Sequence, residues 1–336
     1  MIFARLSAWI LLPLLLLVLM AGTVAHAGRD QAPGHVPGAS TSRLAYLVSD
    51  LRIPFWQIMA RGIRNSAAAS GFQVDVYSAD NDAKKEMEHT VAVIRSGVDG
   101  IIVSPTNSTA CTVILKLSRQ AGIPVVIADI GTDGGDYVSF IASDNLDGAY
   151  RIGKILAERM GELGWQKGTV GIIAIPQKRV NGQLRTAGFM KAMEEAGIKG
   201  AGLEQQVDFS YQETYRHARS LIAANPGLRA IWLQGSDRYR GALDAIADAG
   251  RKGEILLLTF DAEPEFLDLI PRGVLVGAAM QQPFLIGEEA VRAMGHFLRG
   301  LPVEKRIQLP ILAVSARNLK EQLPLIKRNV LGMLTD

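Results

Sequence analysis

The sequence predicts an α/β protein built as two Rossmann-like, doubly wound parallel-sheet lobes joined by a hinge. Three observations predict it. From Arg43 onward, short apolar runs alternate with helical stripes, the pattern of a parallel sheet wrapped by helices. The same alternation restarts at Thr169. Each half also contains a strand-like run ending in an aspartate, at Asp129 and at Asp261. With 336 residues and 48% of them hydrophobic, the chain can bury two ordinary cores.

The elements follow in order. In the first half, Leu44–Val48, Val74–Tyr77, Gly100–Val103 and Pro124–Ala128 read as strands. Between them lie the helices Phe55–Ser70, Lys84–Ser96 and Ala110–Gln120. The first carries an apolar stripe through Phe55, Met59 and Ile63. Val138–Ala142 is a further strand, and a helix begins after Asn145. In the second half, Val170–Ile175, Gly202–Val207, Ala230–Leu233 and Ile255–Phe260 are strands. They are separated by the helices Asn181–Ala196, Gln212–Ala224 and Arg238–Ala249. Val274–Met280 and Ile307–Val314 flank a last helix, Pro283–Arg299. They come too late for a third domain and read as segments that cross between lobes. The expected organisation is therefore 43–144 plus 282–310 in one lobe and 145–281 plus 311–336 in the other.

Residues 1–27 read as a secretory signal peptide. Arg5 precedes an apolar run from Ala8 to about Ala25, and Ala25-His26-Ala27 has the small-x-small cleavage pattern. An uncleaved anchor is the competing reading. Residues 28–42 are Gly/Pro/Ser-rich and read as a flexible leader. The expected location is the periplasm. Cys111, the only cysteine, stands on an apolar helical stripe, so an internal disulfide is excluded and a buried apolar role is expected.

The formal charge is only +3, with no basic cluster interleaved with aromatics, so no nucleic-acid partner is expected. The five histidines have no metal-ligand spacing, and neither a nucleophile elbow nor a phosphate-cradling loop is present. No metal, no cofactor and no catalysis are expected.

Several spaced motifs then converge. They are Pro54-Phe55-Trp56, Ser104-Pro105-Thr106, Ile123-Pro124-Val125 leading to Asp129, Ile141–Asn145, Arg185 with Gly188-Phe189, Phe260-Asp261 and Gln281-Gln282-Pro283. On these the chain, from Arg43 to Val314, resembles the periplasmic ribose-binding protein family of type I solute-binding proteins. The resemblance implies capture of a small sugar or related polar metabolite between the lobes and delivery to an ABC-type permease in the inner membrane. A sensory role, presenting the ligand to a chemoreceptor or sensor kinase, is the alternative. The protein is expected to be a monomer.

The resemblance assigns ligand contacts residue by residue. Phe55 and Trp56 form an aromatic floor, Phe209 the opposing wall, and Asp129 and Asp261 accept hydroxyl protons. Arg185 donates from the second lobe, Gln281 lies near a hinge crossing, and Ser104 completes the set. Asp237, which follows a strand, is a further candidate that either contacts the ligand or caps the next helix. Rings suit the C–H faces of a sugar, while ionised planar groups suit its hydroxyl rim. The departures are Ile53 where relatives often have Asn, Ile130 where they often have Arg, and Gly235 in place of a frequent Asn. Each removes a polar partner, and a hydroxyl left unpaired costs about 1–3 kcal/mol. The expected ligand is therefore not ribose but a deoxy or less hydroxylated sugar, a polyol or another small polar metabolite.

Overall fold

The computed structural model describes residues 42–333. The signal peptide and all but the last residue of the leader lie outside them. Two six-stranded sheets organise the chain. The first uses β1 (Arg43–Val48), β2 (Gln73–Ser78), β3 (Gly100–Ser104), β4 (Val125–Ala128), β5 (Ser139–Ser143) and β11 (Arg306–Leu309), in the order β11-β5-β4-β3-β1-β2. The second uses β6 (Thr169–Ala174), β7 (Lys199–Gln205), β8 (Leu228–Leu233), β9 (Leu256–Phe260), β10 (Gly277–Met280) and β12 (Leu312–Ser315), in the order β12-β10-β9-β8-β6-β7. The two orders are the same topology used twice. In each, the order reverses beside the first strand of the half, which creates a switch point at the strands' carboxyl ends.

Alternation along the strands produces the two faces. In β1, Leu44, Tyr46 and Val48 pack with α1 (Pro54–Ala69) and α9 (Pro283–Leu298). Ala45 and Leu47 pack on the other face with α2 (Ala83–Ser96) and α3 (Ser108–Gln120). In β6, Val170, Ile172 and Ala174 face α4 (Asn145–Glu162) and α5 (Val180–Glu195). Ile173 faces α6 (Tyr211–Ala224) and α7 (Tyr239–Asp248). Successive strand side chains point to opposite faces, so runs apolar at every position fit a sheet covered on both sides. Cys111 lies fully buried on one of those faces, as expected.

Glycines set the closest helix approaches. A Cβ on Gly62 of α1 would lie 2.2 Å from the Phe284 carbonyl oxygen of α9, and one on Gly287 of α9 would lie 2.4 Å from that of Met59. In the second lobe, a Cβ on Gly188 of α5 would lie 2.1 Å from the carbonyl oxygen of Leu146 in α4. Only a bare Cα lets these backbones touch.

The structure differs from the sequence expectation in three places. Ile307–Val314 is not one strand but two, β11 and β12, one in each sheet, with Pro310 and Ile311 between them. Proline has no N–H to continue a ladder, and the chain uses the break to change sheets. β12 pairs antiparallel with β10, so the second sheet carries one antiparallel edge on an otherwise parallel array. The third difference is at the C-terminus. After the short α8 (Phe266–Leu269) and α10 (Leu319–Leu325), a π-helical turn at Ile326–Val330 buries Ile326, Val330 and Leu331 with the second core. Its polar contacts go elsewhere. Arg328 pairs with Glu288 of α9 at 2.8 Å, Arg61 of α1 donates to the Leu331 carbonyl at 2.8 Å, and Asn329 donates to Gln282 at 2.7 Å. Gln282 in turn donates to the Pro310 carbonyl at 2.8 Å. The tail thus ties two of the segments that pass between the sheets.

Gly188→Ala is expected to lower the unfolding free energy by about 1–3 kcal/mol, since the added methyl forces α4 and α5 apart. A Cβ on Gly227 meets nothing within 4 Å, so Gly227→Ala should stay within about 0.5 kcal/mol of the parent. Urea denaturation of the two variants side by side measures the difference.

Candidate functional site

Each lobe aims a carboxylate at its switch point by the same backbone device. Asp129 follows β4 and Asp261 follows β9, with φ of 67° and 65°. The Asp129 N–H donates to the Ile141 carbonyl at 2.9 Å, and the Asp261 N–H to the Ala279 carbonyl at 2.8 Å. Left-handed backbone is uncommon outside glycine, and aspartate is, with asparagine, among the residues that tolerate it. It turns both side chains off the sheet edge into one crevice. Phe209 is also left-handed, at φ 54°. For a bulky residue that is an outlier which its surroundings must hold. Here the Phe209 N–H donates to Glu213 at 2.9 Å, and Arg238 donates to the Phe209 carbonyl.

The crevice is lined by Phe55, Trp56, Asp129, Arg185, Phe209, Asp237, Asp261 and Gln281 among the residues expected from sequence. Phe55 and Trp56 meet edge to face, centroids 4.9 Å apart. Arg185 is buried. It donates through Nε to Asn145 Oδ1 at 2.8 Å and through Nη1 to the Gln234 carbonyl at 2.8 Å, and it stands 3.7 Å from Asp261 Oδ2. Its guanidinium lies 3.8 Å from the Phe260 ring centroid, and beneath that ring Trp232 stacks on Phe189 at 4.1 Å. The aromatic stack fixes the guanidinium plane. Asp237 is ion-paired with Arg238.

Ser104 is not brought to the crevice wall. It is fully buried behind it, 2.9 Å from the Tyr46 hydroxyl and 3.5 Å from Met59 Sδ. Four lining residues were not expected from sequence as contacts: Ile175, Arg179, Asn181 and Gln234. Gln234 is fully buried, accepts from the Ile175 N–H at 3.3 Å and donates to Thr186 at 2.8 Å. Arg179 opens α5 at the N-cap position without capping the helix, as Ile53 does for α1. Arg238, Glu265, Gln282 and Asn318 also open helices without capping them and do not line the crevice, so an uncapped start does not by itself mark the site.

The electrostatics single out Asp129. Burial pushes its carboxyl up to about 7; Arg185 pulls it down and Asp261 pushes it up further. Its Oδ2 has only a 3.4 Å contact from Asn181, and its Oδ1 has no partner. Asp261 is also raised by burial, but Arg185 and a 2.8 Å bond from Gln281 offset part of that. Gln281 Oε1 is likewise buried without a partner. The crevice therefore presents two buried acceptors that lack donors. Among the described residues, no group of three or more His, Cys, Asp or Glu is arranged to hold a metal ion.

A carboxyl raised in the folded state binds a proton that the unfolded chain has released. Its stability contribution is whole below the ordinary value of 3.8 and is lost as pH rises through about 7. The melting temperature of the empty protein is thus expected to fall between about pH 4 and pH 7 and to level off above. Asp129→Asn should raise it by several degrees at the upper end and leave it unchanged at the lower end. Part of the slope should survive, because Glu86 and Glu263 are also raised by burial to about 7. Calorimetric melts across that range check the prediction.

Comparison with known proteins agrees with this geometry. The periplasmic binding protein domain family matches residues 44–302. The ribose import binding protein of Bacillus subtilis is 28% identical over 264 residues, covering 79% of this chain and 84% of that protein. A solute-binding protein of an ABC transporter from Agrobacterium vitis, solved with α-D-tagatopyranose, is 25% identical with a TM-score of 0.77, covering 86% of this chain and 99% of that one. A carbohydrate transporter solute-binding protein from Agrobacterium radiobacter, solved with D-arabinose, has a TM-score of 0.80 at 20% identity, covering 87% and 99%. With the matched domain spanning most of its length and both lobes, the chain belongs to the periplasmic binding protein family.

Proposed function

We propose that this protein captures a small hydroxylated solute of the sugar class between its lobes and delivers it to an ABC-type permease. The observation that carries the reading is the convergence of Asp129 and Asp261, from equivalent strand ends of the two lobes, with Arg185 between them and aromatic rings beside them. Carboxylates take hydroxyl protons, the guanidinium supplies donors, and Phe55, Trp56 and Phe209 offer faces for C–H groups. Water excluded from such a site strengthens each charged contact. The sugar-binding activities named for the relatives support the same class of ligand.

On this reading the N-terminal segment directs export to the periplasm and is cleaved after Ala27. The mature chain works as a monomer, with 43–144 plus 282–310 moving against 145–281 plus 311–336. The segments around Asn145, Gln281 and Pro310 serve as the hinge. Ligand contact is assigned to Phe55, Trp56, Asp129, Arg185, Phe209, Asp237, Asp261 and Gln281. Ser104 acts from behind, holding Tyr46.

Thermal-shift screening against pentoses, hexoses, polyols and unrelated metabolites tests the reading, because a ligand stabilises the folded state by an amount set by its concentration relative to its dissociation constant. A hydroxylated compound is expected to raise the melting temperature, and a response only to non-hydroxylated compounds would sink the proposal. With that ligand, Asp129→Asn should weaken binding roughly 10–100-fold by calorimetry, the loss of a hydrogen bond to a charged acceptor. Arg185→Ala should abolish binding and also lower the melting temperature of the empty protein, since it leaves Asp261 and the Asn145 amide oxygen without their partner.

A further inference from the structure

The crevice is small. The space left between its walls is about 50 Å³, whereas a cavity of roughly 150 Å³ is what takes up a single six-membered ring. The opening of α5 accounts for the filling. Three successive residues there reach the first lobe. Arg179 donates through Nε to the Thr106 carbonyl at 3.0 Å and through Nη2 to Asn81 Oδ1 at 3.1 Å and Ser49 Oγ at 3.4 Å. The Val180 N–H donates to Ser108 Oγ at 3.4 Å, and Asn181 Nδ2 donates to Asp129 Oδ2 at 3.4 Å. These acceptors stand on or just beyond the carboxyl ends of β1, β2, β3 and β4.

Arg179 and Asn181 are both 5% exposed. The Arg179 guanidinium lies 5.5 Å from the Phe209 ring centroid. Its hydrogen-bond acceptors are all neutral, and Glu86 stands behind them, accepting from the Thr106 N–H and hydroxyl at 2.8 Å each. Elsewhere the wall offers little to a hydroxyl, since Ile53, Ile175 and Gly235 bring no polar side chain. The acceptors that remain open are Asp129 Oδ1 and Gln281 Oε1.

We propose that Arg179 and Asn181 are specificity-determining residues that shorten the crevice, and that the ligand is a short open-chain polyol of roughly three to five carbons rather than a six-membered ring. The inference rests on the reading that the crevice takes a hydroxylated solute. Two adjacent hydroxyls satisfy Asp129 and Gln281, and the apolar wall at Ile53 and Ile175 closes on the carbon chain where a longer sugar would carry further hydroxyls. Shape discriminates here through volume: a fitted pocket separates ligands that differ by one carbon by roughly 10–200-fold.

Calorimetric titration of the purified protein with glycerol, erythritol, threitol and xylitol, against arabinose, ribose, glucose, allose and myo-inositol, tests it. The expected result is a compound from the first group binding at least about tenfold more tightly than any from the second. In Arg179→Ala and in Asn181→Ala the ratio should move toward the ring compounds by about tenfold. A thermal melt accompanies each variant, and Arg179→Met, which keeps the stem, replaces the alanine variant if that one does not fold. A ring compound bound by the native protein as tightly as any open-chain polyol overturns the inference and leaves sugar-class capture standing, as does an unchanged ratio in the folded variants. Binding of no hydroxylated compound of any length overturns both.

Discussion

The constraint on which this structure turns is the cost of holding charge in a crevice from which water is nearly excluded. Two sheets of one topology bring their carboxyl ends face to face, and left-handed aspartates deliver a carboxylate from each side. An unpaired buried charge is expensive, so each must be met from somewhere. Asp261 is met within its own lobe, by Arg185 and Gln281. Asp129 has its nearest protein donor across the crevice, in Asn181, and at a long 3.4 Å. The two carboxylates are equivalent in backbone and unequal in company. That inequality makes Asp129 the group most changed by what enters the crevice.

The sheets were legible because the central strands are short, apolar and bounded by turn residues, and because the alternation with helices runs twice. What failed was local reading of a non-local event. Ile307–Val314 reads as one strand since apolar side chains recur through both of its halves, yet the halves belong to different sheets. Pro310 was the available sign of the break. The C-terminal turn was not legible at all. Its apolar residues pack with one lobe and its polar residues with the other, so no single periodicity describes it.

In the site, the strand-end rule and the family motifs picked out the aspartates, Arg185, Gln281 and the rings, all of which stand on the crevice wall. Ser104 does not, because the last residue of a strand points toward the crevice or into the core according to the pleat, and here Tyr46 claims its hydroxyl. Arg179, Asn181 and Gln234 were missed for a different reason. Arg179 and Asn181 act across the crevice, and Gln234 acts by holding Arg185 through a backbone carbonyl that carries no side-chain signature. The uncapped start of α5 did not single them out, because helices away from the crevice also start without a cap.

The same three residues of α5 bear on how closure is balanced. Without ligand, the contacts across the crevice are one well-formed bond to the Thr106 carbonyl, one to Asn81, and several near 3.4 Å. Against them stand two buried acceptors with no donor, each costing about 1–3 kcal/mol when shut away from water. These opposing terms are similar in size, so the empty protein has no strong reason to stay shut. A ligand that donates to both acceptors removes the opposing cost at a stroke, a gain of about 2–6 kcal/mol. Moving a two-state balance from one part in a hundred to ninety-nine takes about 5.5 kcal/mol. The unsatisfied atoms of the empty crevice reach that figure only at the top of their range, so the ligand's remaining contacts with Arg185 and the rings supply the balance.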